Sequence, residues 1–201
     1  MRKIGVDHNI FDQLNPNPVI PSTDMMEDVY PIIKGKIHTF NTAVATFYAP
    51  SDISGIPGMH REYIQAMSSW RNGPAHYNCV LVNTKPNVDG AQGFKVAWVF
   101  LFLFLHGGKE YLCAFIQWYA FIGTRPDKDT GCWVVEPDIK DGKSSHVVVI
   151  HIDCILCAIH LMPITRSAHF VDWSITMHTL LDTFKLFYLN RFIDYHAFES
   201  L

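Results

Sequence analysis

The chain has 201 residues, 49% of them hydrophobic and 17% charged, with 12 Gly and 11 Pro. That make-up excludes a disordered or collagen-like chain and fits one globular domain with flanking segments. Sixteen Lys and Arg against 19 Asp and Glu give a net charge of −3, and the basic residues are scattered from Arg2 to Arg191, so composition carries no electrostatic footprint for nucleic acid.

Residues 1–35 are rich in Pro and Asn (NPNPVIPSTD) and hold no sustained period, which predicts an irregular arm or linker. Their charged start is interrupted by Asp7, Asp12 and two prolines, which matches neither a signal peptide nor a transit peptide. A β-rich module is expected over residues 36–165. Its apolar segments are short and rich in Val, Ile, Phe, Tyr and Thr: His38–Tyr48, Cys79–Asn83, Lys95–His106, Glu110–Phe121, Cys132–Glu136 and His146–Ile152. Turn signals such as NVDGAQG, HGGK, GTRPDKDTG and PDIKDGKSS separate them.

Two stretches depart from this rhythm. His60–Trp70 carries Tyr63, Ile64 and Met67 at helical spacing, which predicts a short helix inserted in the N-terminal half. Residues 166–201 are expected to form a helical extension packed on the β module, with an amphipathic helix from Thr179 to about Phe198 built on Leu180, Leu181, Phe184, Phe187, Tyr188, Phe192 and Ile193. Cys154–Met162 fits a strand or the start of a short helix. The expected fold is therefore α+β and mainly β, a small barrel or sandwich-like β module with these two helices.

The runs Val96–Leu105 and Leu112–Ile122 raise the question of a membrane span, which takes about 20 apolar residues. As one helix they would bring Lys109 and Glu110 near the bilayer centre, each at a cost of roughly 2.5–3.5 kcal/mol. Two strands joined through Gly107-Gly108 avoid that cost, so a buried hairpin is the expected form. A small membrane protein built on residues 96–122 and 147–164 is the less favoured alternative.

Five cysteines, Cys79, Cys113, Cys132, Cys154 and Cys157, lie mostly inside apolar runs, as thiols of a reducing compartment do. Cys154, Cys157 and His160, with His151 and Asp153 upstream, are weak candidates for metal ligands, since the second ligand pair and the Gly-rich knuckle of a structural zinc site are missing. Buried thiols are the preferred reading, and no cofactor is expected. Asp153 at the end of VVVIHID is placed like the first acid of a two-metal nuclease, but an acid closing a strand is the simpler reading. Asp127-Lys-Asp129-Thr130-Gly131 lacks the closing Glu of a calcium loop and reads as a polar turn. His60, Arg61 and Glu62 read as the charged start of the first helix, without a nucleophile to serve. Trp98, Trp118 and Trp133 lie in predicted strands; gathered at one open barrel end they would offer an aromatic surface for a methylated lysine or a base.

In chain order, Thr46-Phe-Tyr-Ala-Pro-Ser-Asp52, Gly58-Met-His-Arg-Glu62, Ser69-Trp-Arg71 and Gly73-Pro74 are followed by Asp129-Thr-Gly131, Trp133-Val-Val135 with Pro137, Val149-Ile-His-Ile-Asp153, His160-Leu161 with Pro163, and Leu181-Asp182 through His196-Ala-Phe-Glu199. This series resembles a C-terminal β-rich segment of uncharacterised proteins of mushroom-forming (basidiomycete) fungi associated with Plavaka/CACTA-like transposons, over roughly residues 36–201. The resemblance implies a non-catalytic interaction module of transposon origin, found in the nucleus, whose partner is a transposase or a chromatin protein, with weak DNA binding left open and no membrane expected. It supplies no catalytic residue. Two family arginines are replaced here by Trp98 and Cys157. The alternative from a different class is a metal-dependent hydrolase using His151, Asp153, Cys154, Cys157 and His160.

Overall fold

The structure, a computed structural model, describes residues 3–6, 37–48, 58–85, 93–106, 110–140, 144–165, 175–176 and 178–193. In chain order the strands are β1 (Lys3–Val6), β2 (His38–Phe40), β3 (Thr42–Tyr48), β4 (Met59–Met67), β5 (His76–Tyr77), β6 (Cys79–Asn83), β7 (Phe94–His106), β8 (Glu110–Ile122), β9 (Trp133–Pro137), β10 (Ile139–Lys140), β11 (Ser144–Ser145) and β12 (Val147–His151). A 3-10 turn at Ile152–Cys154 leads into β13 (Ile155–Ile159) and β14 (Leu161–Pro163); one helical turn, α1 (Leu180–Thr183), precedes β15 (Phe187–Leu189). The protein is mainly β.

The framework is the β7–β8 hairpin, two 13-residue strands paired from Val96↔Tyr119 to His106↔Glu110. The expected hairpin is present; its Gly107-Gly108 turn lies outside the described residues. Both long apolar runs are strands, and among the described residues no helix is long and apolar enough to cross a membrane. β6 pairs with β7, β9 with β8, β15 with β9, β14 with β15 and β13 with β6, all antiparallel. Only His160 separates β13 from β14, so the two ends of this strand order meet in one extended segment and the sheet curls into a nearly closed barrel. The His160 carbonyl accepts the Asn190 N–H, and Ile164 donates to Leu186, which extends the seam beyond the three-residue pairing of β14 with β15.

Register fixes what fills the barrel, because side chains alternate across a strand. Cys79, Leu81, Val96, Tyr119, Val135, Cys157, Ile159, Phe187 and Leu189 share its inner face and are all buried. The Tyr119 ring meets Phe187 edge-on at 5.9 Å. The opposite face of the same strands carries Val80, Val82, Ala97, Val99 and Phe102, each 1% exposed or less. A second sheet, β1-β3-β4-β5, covers it with Ala43, Ala45, Phe47, Ile64 and Ala66, all buried.

Two hydrogen-bonded ties hold the layers in place. Asn78, where the chain passes from β5 to β6, accepts the Gln65 N–H on Oδ1 at 2.7 Å, donates its own N–H to the Gln65 carbonyl, and accepts the Val99 N–H. Glu62 reaches from β4 so that its Oε2 accepts the Ala158 N–H of β13 at 2.9 Å. That N–H points away from β6, so a carboxylate caps an edge of the seam.

Both expected helices are corrected. His60–Trp70 is mostly strand β4, with Ile64 and Ala66 inward and Tyr63 outward; the helical spacing of Tyr63, Ile64 and Met67 yields to pairing with β3 along the whole of that strand. A tight turn follows, with Arg71 and Asn72 both at positive φ and the Gly73 N–H bonded to the Trp70 carbonyl, the primed geometry that suits a hairpin's twist. The C-terminal helix is reduced to one turn, after which Phe187-Tyr188-Leu189 alternates in-out-in as β15 and fills the place between β9 and β14. Residues 194–198 of that expected helix lie outside the described residues. The ambiguous stretch Cys154–Met162 is strand from Ile155 on, as β13 and β14 on either side of His160, with Cys154 in the 3-10 turn, and Lys3–Val6 of the N-terminal arm pairs with β3.

Replacing Glu62 with Ala removes the acceptor of a charge-assisted hydrogen bond to a half-buried backbone donor. We expect a loss of about 1–2 kcal/mol in urea unfolding, with Glu62→Gln losing less because it keeps an acceptor. An unchanged unfolding midpoint in Glu62→Ala would show that this tie contributes nothing.

Candidate functional site

At Trp118 the strand β8 changes its neighbour. Before that residue it pairs with β12, from Val147↔Gln117 to His151↔Cys113; after it, β8 pairs with β9. The Trp118 N–H donates to the His146 carbonyl, its carbonyl accepts the Asp138 N–H, and the His146 N–H donates to the Asp138 carbonyl, which closes a ring of three backbone bonds. The side chains repeat the connection, with His146 Nδ1 2.9 Å from Asp138 Oδ2. This junction frees β12 from the barrel and carries it along the outer half of the β7–β8 hairpin.

Among the described residues β12 has one neighbour. The bond from Trp118 to His146 sets the parity: Val148 and Ile150 turn their backbone groups toward β8, and Val147, Val149 and His151 turn theirs away. Among the described residues the outward groups of Val147 and Val149 and the His151 N–H have no backbone partner, while the His151 carbonyl, at the N-cap of the 3-10 turn, accepts that turn's first bond. Val147 and Val149 also expose 43% and 52% of their surface, whereas Val148 and Ile150 pack against the core. An apolar strand edge with unused hydrogen-bonding groups can accept a further strand. At its far end, His151 Nδ1 accepts the Asp153 N–H and lies 3.4 Å from the Asp153 carboxylate, so Asp153 closes the strand in an exposed turn.

The sequence-predicted metal ligands are not assembled. Cys157 points into the barrel, His160 is exposed on the other side of the same strand, three positions on, and Cys154 sits half-buried in the 3-10 turn. An odd spacing on a strand places two side chains on opposite faces, which is why Cys157 and His160 diverge. Among the described residues no three His, Cys, Asp or Glu side chains form a metal-holding group. Burial pushes the Cys154 thiol above its ordinary range, with the Asp153 charge adding to it, and burial does the same to Cys79 and Cys113. These are thiols, not thiolates, at neutral pH, and none of the five cysteines forms a disulfide.

The three tryptophans do not share a surface. Trp98 and Trp133 lie on the inner face toward opposite ends of the barrel, the first level with Gln117 and the second level with Leu189; Trp118 lies on the outer face with the Lys95 ammonium 5.4 Å from its ring centre. His60 packs on Phe47, and Glu62 is the tie to β13, so the charged start expected there belongs to a strand. Asp127 forms the expected polar turn: its Oδ1 accepts from the Thr130 hydroxyl and from the N–H groups of Thr130 and Asp129, and Gly131 at φ +68° completes the loop.

Sequence reading missed the β12 edge and the Asp138–His146 pair. Val147-Val-Val-Ile150 is uniformly apolar, so its in-out alternation is invisible until the strand acquires a single neighbour. The pair had a faint signal, an acid and a histidine flanking the turn PDIKDGKSSH, which becomes the small β10–β11 hairpin. Comparison with protein-family models, curated proteins and solved structures finds no match to this chain.

Two outcomes are expected. The Tyr119 hydroxyl is buried with no hydrogen-bond partner among the described residues, and burial, with Cys79 and Asp182 nearby, pushes its ionisation well above the ordinary range. Tyr119→Phe should therefore leave the melting temperature unchanged or raise it by the equivalent of about 1 kcal/mol; a clear drop would mean the hydroxyl is satisfied in solution. The Thr130 hydroxyl, with the backbone of Thr130 and Asp129, holds the Asp127 carboxyl below its ordinary value. Its contribution is complete above the usual carboxylate range and is lost as pH falls toward the lowered value, so Asp127→Asn should flatten the acid limb of a melting-temperature profile. Superimposable acid limbs would contradict that assignment.

Proposed function

We propose that this chain is a non-catalytic interaction module of transposon origin, acting in the nucleus beside a transposase or a chromatin protein, and that it binds protein through strand addition at β12. The observation that carries the reading is the outward edge of β12, with the backbone groups of Val147 and Val149 unpaired among the described residues and the same two valines half-exposed. Such an edge recognises extended backbone, and it asks nothing of a metal or a nucleophile. The net charge of −3 weighs against the phosphate backbone as the main ligand and leaves DNA a minor role. The nuclear setting and the partner class follow from the fungal resemblance. The hydrolase alternative would need Cys157 and His160 on one side of their strand, and they occupy opposite sides.

Display selection with random peptides of about ten residues, long enough to pair along a strand edge, tests this. The wild-type chain should enrich strand-forming sequences, and Val149→Pro should lose them, because proline removes an outward donor while sparing every bond to β8. Equal enrichment by both proteins would exclude β12 as the binding element.

A further inference from the structure

We infer that the strand added to β12 is β12 of a second copy of this chain, paired antiparallel about a two-fold axis through Val149. The inference rests on reading the β12 edge as the binding element, and it names the occupant. The outward residues are Val147, Val149 and His151, an odd set with Val149 at its centre. An axis at Val149 sets that residue against itself and Val147 against His151 of the second copy, so each outward donor on one strand meets an outward acceptor on the other, the His151 carbonyl taking the Val147 N–H on its second lone pair beside the bond it accepts in the 3-10 turn. A two-fold contact requires this self-complementarity, and the edge possesses it without rearrangement.

Charge and shape favour the same occupant. Val147-Val-Val-Ile150 contains no charged side chain, so self-pairing sets no like charges opposite each other, and its residues are all β-branched, the type that packs best across strands. Val147–His151 has no Lys, Pro or bulge, and among the described residues no element covers its outward edge, so the devices that usually protect an edge are not seen there. A strand-adding peptide from elsewhere is read through pockets for its alternate side chains, whereas Val147 and Val149 project from an open face at 43% and 52% exposure. On that face the two copies' Val149 side chains would cover one another, and the sheet β2-β7-β8-β12 would run on through the axis into its counterpart.

Sedimentation velocity on the full chain tests the inference through a charge exchange at the axis. Wild-type protein at about 100 µM should sediment as a dimer, and Val149→Lys and Val149→Glu should each weaken the dimer roughly tenfold or more, since each sets like charges face to face. An equimolar mixture of the two variants should recover the dimer, a result specific to a contact in which position 149 meets itself. Hydrogen exchange of the Val147, Val149 and His151 amides in wild-type protein supplies a variant-free check, with protection that rises with protein concentration. Wild-type protein that stays monomeric, or a dimer indifferent to both charges, overturns the self-pairing. If β12 still selects peptides in that event, the binding edge stands and only its occupant is wrong; if neither result appears, both fail together.

Discussion

Everything in this protein depends on one extended segment, Ile155–Pro163, that is paired on both of its sides. Its first half binds β6, its second half binds β15, and the backbone groups that would otherwise form two raw sheet edges are used within the chain. Closure also determines the interior. Side chains from strands that do not pair with each other, such as Tyr119 of β8 and Phe187 of β15, meet inside it, and polar atoms among them are cut off from solvent. Trp98 Nε1, Tyr119 Oη and Trp133 Nε1 lie there unpaired among the described residues, a cost that only dense apolar packing offsets.

The same closure explains why some strands are apolar on both faces. β6 reads Cys-Val-Leu-Val and is buried throughout, because Cys79 and Leu81 look into the barrel while Val80 and Val82 meet the second sheet. β12 has the same kind of sequence for a different reason. Val148 and Ile150 face protein, and Val147 and Val149 are exposed. A similar apolar run thus marks a doubly covered strand in one place and a half-covered edge in the other.

That ambiguity sets the limit of what the sequence discloses here. The strand segments from Cys79 to His151 were legible because β-branched and aromatic runs alternate with turn residues, and the observed strands follow them within a residue or two. β4 and β15 were not, since His-Arg-Glu-Tyr-Ile-Gln-Ala-Met contains good helix formers and Phe187-Tyr-Leu fits either period over three residues; long-range pairing decides both. The candidate site was the least legible part. Whether a strand has one neighbour or two is a property of the sheet, and no residue between Val147 and Ile150 records it. The cysteine and histidine spacing, by contrast, was visible and carried no site, because on a strand Cys157 and His160 diverge.

The order of the ring has a consequence for vectorial synthesis. β6, β7 and β8 are made first, β13 must return to β6 across the intervening chain, and β15 leaves the ribosome last although it stands between β9 and β14. Pairings so distant in sequence make for slow folding. The nascent chain therefore carries β6 and β9 as unpaired sheet edges on either side of its most apolar hairpin until β13 and then Phe187-Tyr-Leu189 emerge, an interval in which strand edges invite misassembly.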